Sequence, residues 1–320
     1  TLRHESVGSE RDRKYLVPHS GDTMAQIWLY AGISEYPRLL NVILNNMSKN
    51  VLGADNQQGS PLFTQCVNDD PSETTRRIPR INKSLAILLG LLFTDGCVSK
   101  KGNSWRIYFA VKSSALVNSF RTCMIDSFTI DYERIRIGKT QDGLIRAIVN
   151  SKEIGNFLTE TFGTFRTLKF SNGTLPDTKI PVESLIESGF VAEFLQAAFS
   201  CDGGLCFYPA KRKGRKGDTV WLIRTIFLSC AHPSLRADYI VLLAHIGIVA
   251  REVSKDGKIK IETQSNIKRF HEYIGFIPDV EVTLHSKYWN GSYKHEVLQE
   301  MVLSYEKPSL VYNHARFASR

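Results

Sequence analysis

The chain has 320 residues, 42% hydrophobic and 23% charged, a composition that excludes a disordered or collagen-like polymer and suffices for two or three packed domains. The 41 Lys and Arg residues outnumber the 32 Asp and Glu residues and leave a formal charge of +9, which points to a polyanionic partner. No run of eighteen apolar residues occurs and the first twenty residues are polar and charged; neither membrane insertion nor secretion is expected, and the compartment implied is intracellular (cytoplasm, nucleoid or organelle).

From the N-terminus, residues 23–44 read as two short helices broken at Ala31-Gly32-Ile33-Ser34. That spacing suits a helix-turn-helix with Ser34 capping its second helix, and it suits a plain helical hairpin equally well. The stretch from Ser48 to Thr75 is rich in Asn, Gln, Gly, Pro and Ser and reads as a linker, so the N-terminal region is set at residues 1–76. Two halves follow, at 77–180 and 181–320. The first opens with an apolar segment from Ser84 to Asp95-Gly96. Trp105 to Lys112 then alternates as a strand, with Trp105, Ile107, Phe109 and Val111 on one face and Arg106, Tyr108 and Lys112 on the other. Ser113 or Ser114 caps a helix through Phe128. Strands near 134–137 and 144–150 turn at Gln141-Asp142-Gly143, and a helix covers 152–162.

The design then repeats. Gly189 to Asp202-Gly203 restates the apolar segment at a spacing of 107 residues, and each copy follows a basic-Ile-Pro tripeptide, Arg77-Ile78-Pro79 or Lys179-Ile180-Pro181. A strand, the basic loop Lys211 to Lys216, a strand, a helix at 234–246, a hairpin turned at Asp256-Gly257 and a helix at 265–273 complete the second half. The fold class is therefore α+β, two pseudo-symmetric αββαββα units with antiparallel sheets and basic exposed faces. The six cysteines form no CxxC pair and the eight histidines are scattered, so neither a zinc site nor a disulfide frame is expected.

A helix apolar on nearly every face is buried, and Gly90, Ala197 and Ala198 allow two such helices to meet backbone to backbone. Their ends then bring Asp95 and Asp202 together at the negative poles of two helix dipoles, an unfavourable arrangement unless a cation compensates it. Two hard oxygen donors among basic strands describe a Mg²⁺ site for phosphodiester hydrolysis. One Asp-Gly alone is a helix stop; its duplication shifts the reading to a site.

Leu88-Leu-Gly-Leu-Leu-Phe-Thr-Asp-Gly96 and Leu195-Gln-Ala-Ala-Phe-Ser-Cys-Asp-Gly203 resemble the paired motifs of a monomeric LAGLIDADG homing endonuclease, over about residues 77–300. The resemblance implies an interface of the two motif helices and divalent metal on Asp95 and Asp202, with the carbonyls of Thr94 and Cys201 joining the shell. It implies Mg²⁺ as cofactor, with Mn²⁺ or Ca²⁺ able to substitute for binding. It also implies saddle-shaped sheets lying along the major groove of double-stranded DNA, and a double-strand break in a long target site made by a monomer. Lys112 matches a lysine that lies near the scissile phosphates in the family. Val111 stands where glutamine is common there, Leu228-Ser229-Cys230 carries no second lysine, and Gln196-Ala197 replaces a small-Gly step.

The candidate DNA contacts are Arg106, Arg146 and Arg224 for guanine edges, Tyr108, Arg134 and Arg136 on or beside the strands, Lys258 and Lys260 on one strand face, and the loop residues Lys211, Arg212, Lys213, Arg215 and Lys216. The competing function is an intron maturase or a non-cleaving DNA-binding regulator on the same fold. Thr1 and the terminal Phe-Ala-Ser-Arg argue against an intein.

Overall fold

The computed structural model describes residues 80–212, 219–282, 286–307 and 317. The chain divides into two units, Thr1–Gln65 and Cys66–Arg320, and every described element belongs to the second. The expected helix-turn-helix and linker lie outside the described residues.

The first half runs α1 (Lys83–Leu92), β1 (Gly96–Lys101), β2 (Ser104–Val111), α2 (Ser114–Phe128), β3 (Arg136–Lys139), β4 (Ile145–Asn150) and α3 (Lys152–Phe162). After a connecting segment and a short helix α4 (Val182–Ser188), the second half runs α5 (Val191–Asp202), β5 (Gly203–Arg212), β6 (Thr219–Ser229), α6 (Pro233–His245), β7 (Arg251–Val253), β8 (Lys258–Ile261) and α7 (Gln264–Tyr273). Each half is thus αββαββα, and the antiparallel sheets are ordered β1-β2-β4-β3 and β5-β6-β8-β7. Among the described residues a further helix, α8 (Lys294–Glu306), has no counterpart in the first half.

Local chemistry sets the boundaries. The Ser113 hydroxyl accepts from the Leu116 amide and the Ser151 hydroxyl from the Ile154 amide, which starts α2 and α3 where the sequence places them. β3 begins at Arg136, two residues later than expected, because Tyr132–Arg134 close a 3₁₀ turn.

Register then decides which residues are covered. Phe109 lies opposite Gly96 and Ala147, and Ile107 opposite Val98 and Val149, on the face toward the helices, where Ile107, Phe109, Ala147 and Val149 are fully buried. In the second sheet Leu228 lies opposite Gly203 and Ile259 on the equivalent face. β5 is an edge strand, and the Tyr288-Trp289 dipeptide straddles it. Tyr288 stacks on Tyr208 from one side and Trp289 on Phe207 from the other, and the indole donates to the Phe207 carbonyl. Among the described residues no strand pairs along the other edge of β5, and this dipeptide covers part of it.

The two halves meet along α1 and α5. A Cβ built on Gly90 would lie 2.5 Å from the Phe194 carbonyl oxygen, 2.8 Å from the Ala197 Cβ and 3.3 Å from the Ala198 amide nitrogen. No side chain fits in that gap, so the small residues set the helix separation. Phe93, at the C-terminal end of α1, packs against Phe165 and Phe194, with ring centroids 4.7 and 6.4 Å away.

Candidate active site

The seam delivers both acidic residues to one place. Asp202 is the last residue of α5, whereas Thr94 and Asp95 lie in the turn between α1 and β1. The Thr94 hydroxyl donates to the carbonyls of Gly90 and Leu91 at 2.9 and 3.0 Å and so closes the end of α1. Burial pushes the Asp202 carboxyl up to about 7, and the Asp95 charge adds to the rise. Asp95 is exposed to solvent, with protein packed around its carboxyl. The crowding raises its pKa, against the lowering influence of Lys294 and of a hydrogen bond from the Cys201 thiol. That thiol also meets Thr94, and burial together with the two carboxylates keeps it protonated well above the usual thiol range. Cys201 therefore brings its side chain to the site, where the sequence comparison assigned only its carbonyl.

The residues before Asp202 are tied down individually. Ser200 Oγ donates to the Gln196 carbonyl at 2.6 Å and accepts from the Ile277 amide at 2.8 Å. Gln196 Nε2 donates to the Ile274 carbonyl at 2.7 Å. The Gln-Ala step of the second motif is explained by this division of labour: Gln196 anchors α5 to the end of α7, while Ala197 occupies the tight position against Gly90.

Lys294 is the residue that sequence reasoning missed. It opens α8, is 5% exposed, and donates from Nζ to the carbonyls of Ser200 at 2.8 Å and Gly203 at 2.7 Å. Burial brings its pKa down to about 8, a fall limited by Cys201, Asp202 and Asp95. Lys294 and Cys201 line two cavities, of about 540 and 680 Å³. The smaller also holds Asp95, Lys112, Asp279 and Glu281, and the larger holds Asp202 with Tyr208, Phe227 and Trp289. Lys112 is exposed just beyond the end of β2. Because Phe109 opposite Gly96 corresponds to Leu228 opposite Gly203, the second-half equivalent of Lys112 is Ala231.

The candidate DNA contacts separate by strand parity. Arg106, Tyr108 and Arg146 share the face away from the helices, as does Arg136 opposite Ile148. Arg146 lies across Gly138, where a Cβ would come within 3.4 Å of its Nε. Lys258 and Lys260 occupy the equivalent face of the second sheet, opposite Ser229 and Phe227, with Lys258 Nζ 4.9 Å from the centre of the Phe227 ring. Arg251, which the sequence reading passed over, matches Arg136 and pairs with Glu262 at 3.0 Å.

Arg134 lies in the exposed 3₁₀ turn that leads into β3, beside the sheet, and one candidate is corrected. Arg224 lies opposite Phe207 on the covered face, where Nε donates to Ser304 Oγ at 2.7 Å, Nη2 donates to the Ser304 carbonyl at 3.1 Å, and the guanidinium sits 4.3 Å from the centre of the Tyr305 ring. It holds α8 to the sheet and does not face the groove. Lys211 is exposed but has the same parity as Arg224, and Arg212 ends β5. Lys213, Arg215 and Lys216 lie outside the described residues.

No family model matches the chain. No curated protein matches it either. Among solved structures the chain is similar to the LAGLIDADG meganuclease I-AabMI bound to uncleaved DNA, with 15% identity over 72% of this chain and 92% of that one and a TM-score of 0.39. It is similar also to a single-substitution variant of I-DmoI in complex with its target DNA and Mn, with 16% identity, 60% and 93% coverage and a TM-score of 0.37. A third similar structure is the N-terminal LAGLIDADG domain of DUF199/WhiA, with 15% identity, 65% and 88% coverage and a TM-score of 0.35.

Neither Asp95 nor Asp202 forms a salt bridge among the described residues, and both carboxyls are held in a setting that disfavours two bare negative charges. Among the described residues no three His, Cys, Asp or Glu side chains come together to cage an ion. Asp95 and Asp202 are hard oxygen donors of the kind a divalent cation takes, with its further ligands left to water or to a substrate phosphate. Among the described residues no helix is long and apolar enough to cross a membrane.

Proposed function

We propose that the chain is a site-specific, divalent-metal-dependent DNA endonuclease that makes a double-strand break by hydrolysing phosphodiester bonds. The observation that carries this reading is the convergence of Asp95 and Asp202 at the ends of two helices in backbone contact at Gly90. Both carboxylates would hold the metal, with the Thr94 and Cys201 carbonyls beside them. When bound, such an ion acidifies the attacking water and offsets charge on the phosphate. Lys112, exposed beside Asp95, supplies positive charge to the phosphoryl oxygens of the strand that reaches the smaller cavity. Arg106, Tyr108, Arg136 and Arg146 on one sheet and Lys258 and Lys260 on the other engage the duplex, with the phosphate contacts fixing register and the bidentate arginines reading base edges.

A second reading is DNA binding without cleavage, as in a regulator or maturase. Ala231 favours it, because the strand position that carries Lys112 in the first half carries no charge in the second. One experiment separates the two: incubation of the protein and Mg²⁺ with a plasmid carrying the host locus free of insertion. Linear product supports the nuclease, and specific retention of uncut plasmid supports the regulator.

A further inference from the structure

A lysine in the first turn of a helix meets a dipole of its own sign. Burying it adds a desolvation cost that only close partners offset. Lys294 carries both penalties. What offsets them lies at the end of α5: the carbonyls of Ser200 and Gly203, where helical donors run out, accept two of its three N–H bonds. The field of Asp95 and Asp202 offsets a further part, with burial still the larger effect. The end of α1 is finished differently, by the neutral hydroxyl of Thr94. The cation is therefore built into the second half alone, the half whose strand carries Ala231 instead of lysine. It sits in the wall between the two cavities that contain the aspartates.

We propose that Lys294 is a positioning residue and resident counter-ion for the aspartate pair, holding the carbonyl end of α5 and offsetting the repulsion of the two carboxylates until a divalent cation enters. The inference rests on the proposed reading of Asp95 and Asp202 as metal ligands. Its consequence is competition: Lys294 and the divalent cation oppose each other electrostatically, so removing the lysine costs the metal-free protein more than the metal-bound one.

The test compares thermal midpoints of the full chain with chelator and with saturating Ca²⁺, for the wild type, Lys294→Met and Lys294→Arg. Lys294→Met is expected to lower the midpoint in chelator and to show a Ca²⁺-induced rise at least twice that of the wild type. Lys294→Arg keeps the charge and is expected to show a wild-type increment. An equal loss in Lys294→Met with and without Ca²⁺ would mean a plain helix cap and would overturn the proposal. If Lys294→Met does not fold in chelator, the refolding yield gives the same comparison: recovery with Ca²⁺ supports the counter-ion role, and no recovery in either condition overturns it. Failure of the underlying reading looks different, since Ca²⁺ would then shift the midpoint of none of the proteins, wild type included.

Discussion

Gly90→Ala is the most direct probe of how the site is assembled. In an exposed helix the change stabilises by about 1 kcal/mol, because alanine is the better helix former. Here the added Cβ would meet the Phe194 carbonyl oxygen at 2.5 Å, the Ala197 Cβ at 2.8 Å and the Ala198 nitrogen at 3.3 Å. All three belong to a helix backbone or to a side chain without rotamers, so none can yield unless α5 moves. Overpacking of this kind costs about 1–3 kcal/mol, and the rigidity of the neighbours places the cost at or above the upper end. The net loss expected is about 2 kcal/mol, or a fall of about 4–8 °C in the midpoint for a unit of this size. Cleavage should fall by more than stability accounts for, because the same displacement parts Asp95 from Asp202. Adding Ala197→Gly should recover only part of the loss, since the Phe194 carbonyl remains in place. Chemical denaturation and a plasmid-cleavage time course measure the two effects. A Gly90→Ala protein more stable than the wild type would show that the helices are not in backbone contact, and the paired site would go with them.

Asp95→Asn and Asp202→Asn should each abolish double-strand cleavage while specific DNA binding, measured by gel shift, persists through the phosphate contacts. The raised Asp202 carboxyl also sets a pH dependence in metal-free protein. Its contribution to stability is complete below the unfolded value of 3.8 and is lost as pH rises through about 7, so Asp202→Asn should flatten denaturation midpoints across that window. Lys112→Ala should slow one strand more than the other, so that nicked plasmid accumulates; equal slowing of both strands would make it a binding residue. Arg224→Ala should cost about 1–3 kcal/mol of stability through its lost bonds to Ser304 and leave DNA affinity nearly unchanged, whereas Arg146→Ala should weaken DNA binding without unfolding the chain.

The sequence by itself determined whatever depends on period and repetition. Alternation over Trp105 to Val111 fixed which residues of β2 are covered, Ser113 marked a helix start, and the duplicated Asp-Gly segments, with Gly90, Ala197 and Ala198 inside them, specified two buried helices in close contact. These are local signals, carried by neighbours in the chain. Pairing and packing between distant segments decided the rest. Arg224 alternates just as an exposed strand residue does, and only its position opposite Phe207, under α8, turns it away from the groove. The counterpart of Lys112 became Ala231 only once strand register aligned the two sheets. Lys294 lies 92 residues beyond Asp202 and follows a pattern that a surface helix would also show. Nothing local reveals that α8 folds its first turn against the end of α5, because a buried ammonium is made tolerable only by carbonyls and carboxylates that the tertiary structure brings to it.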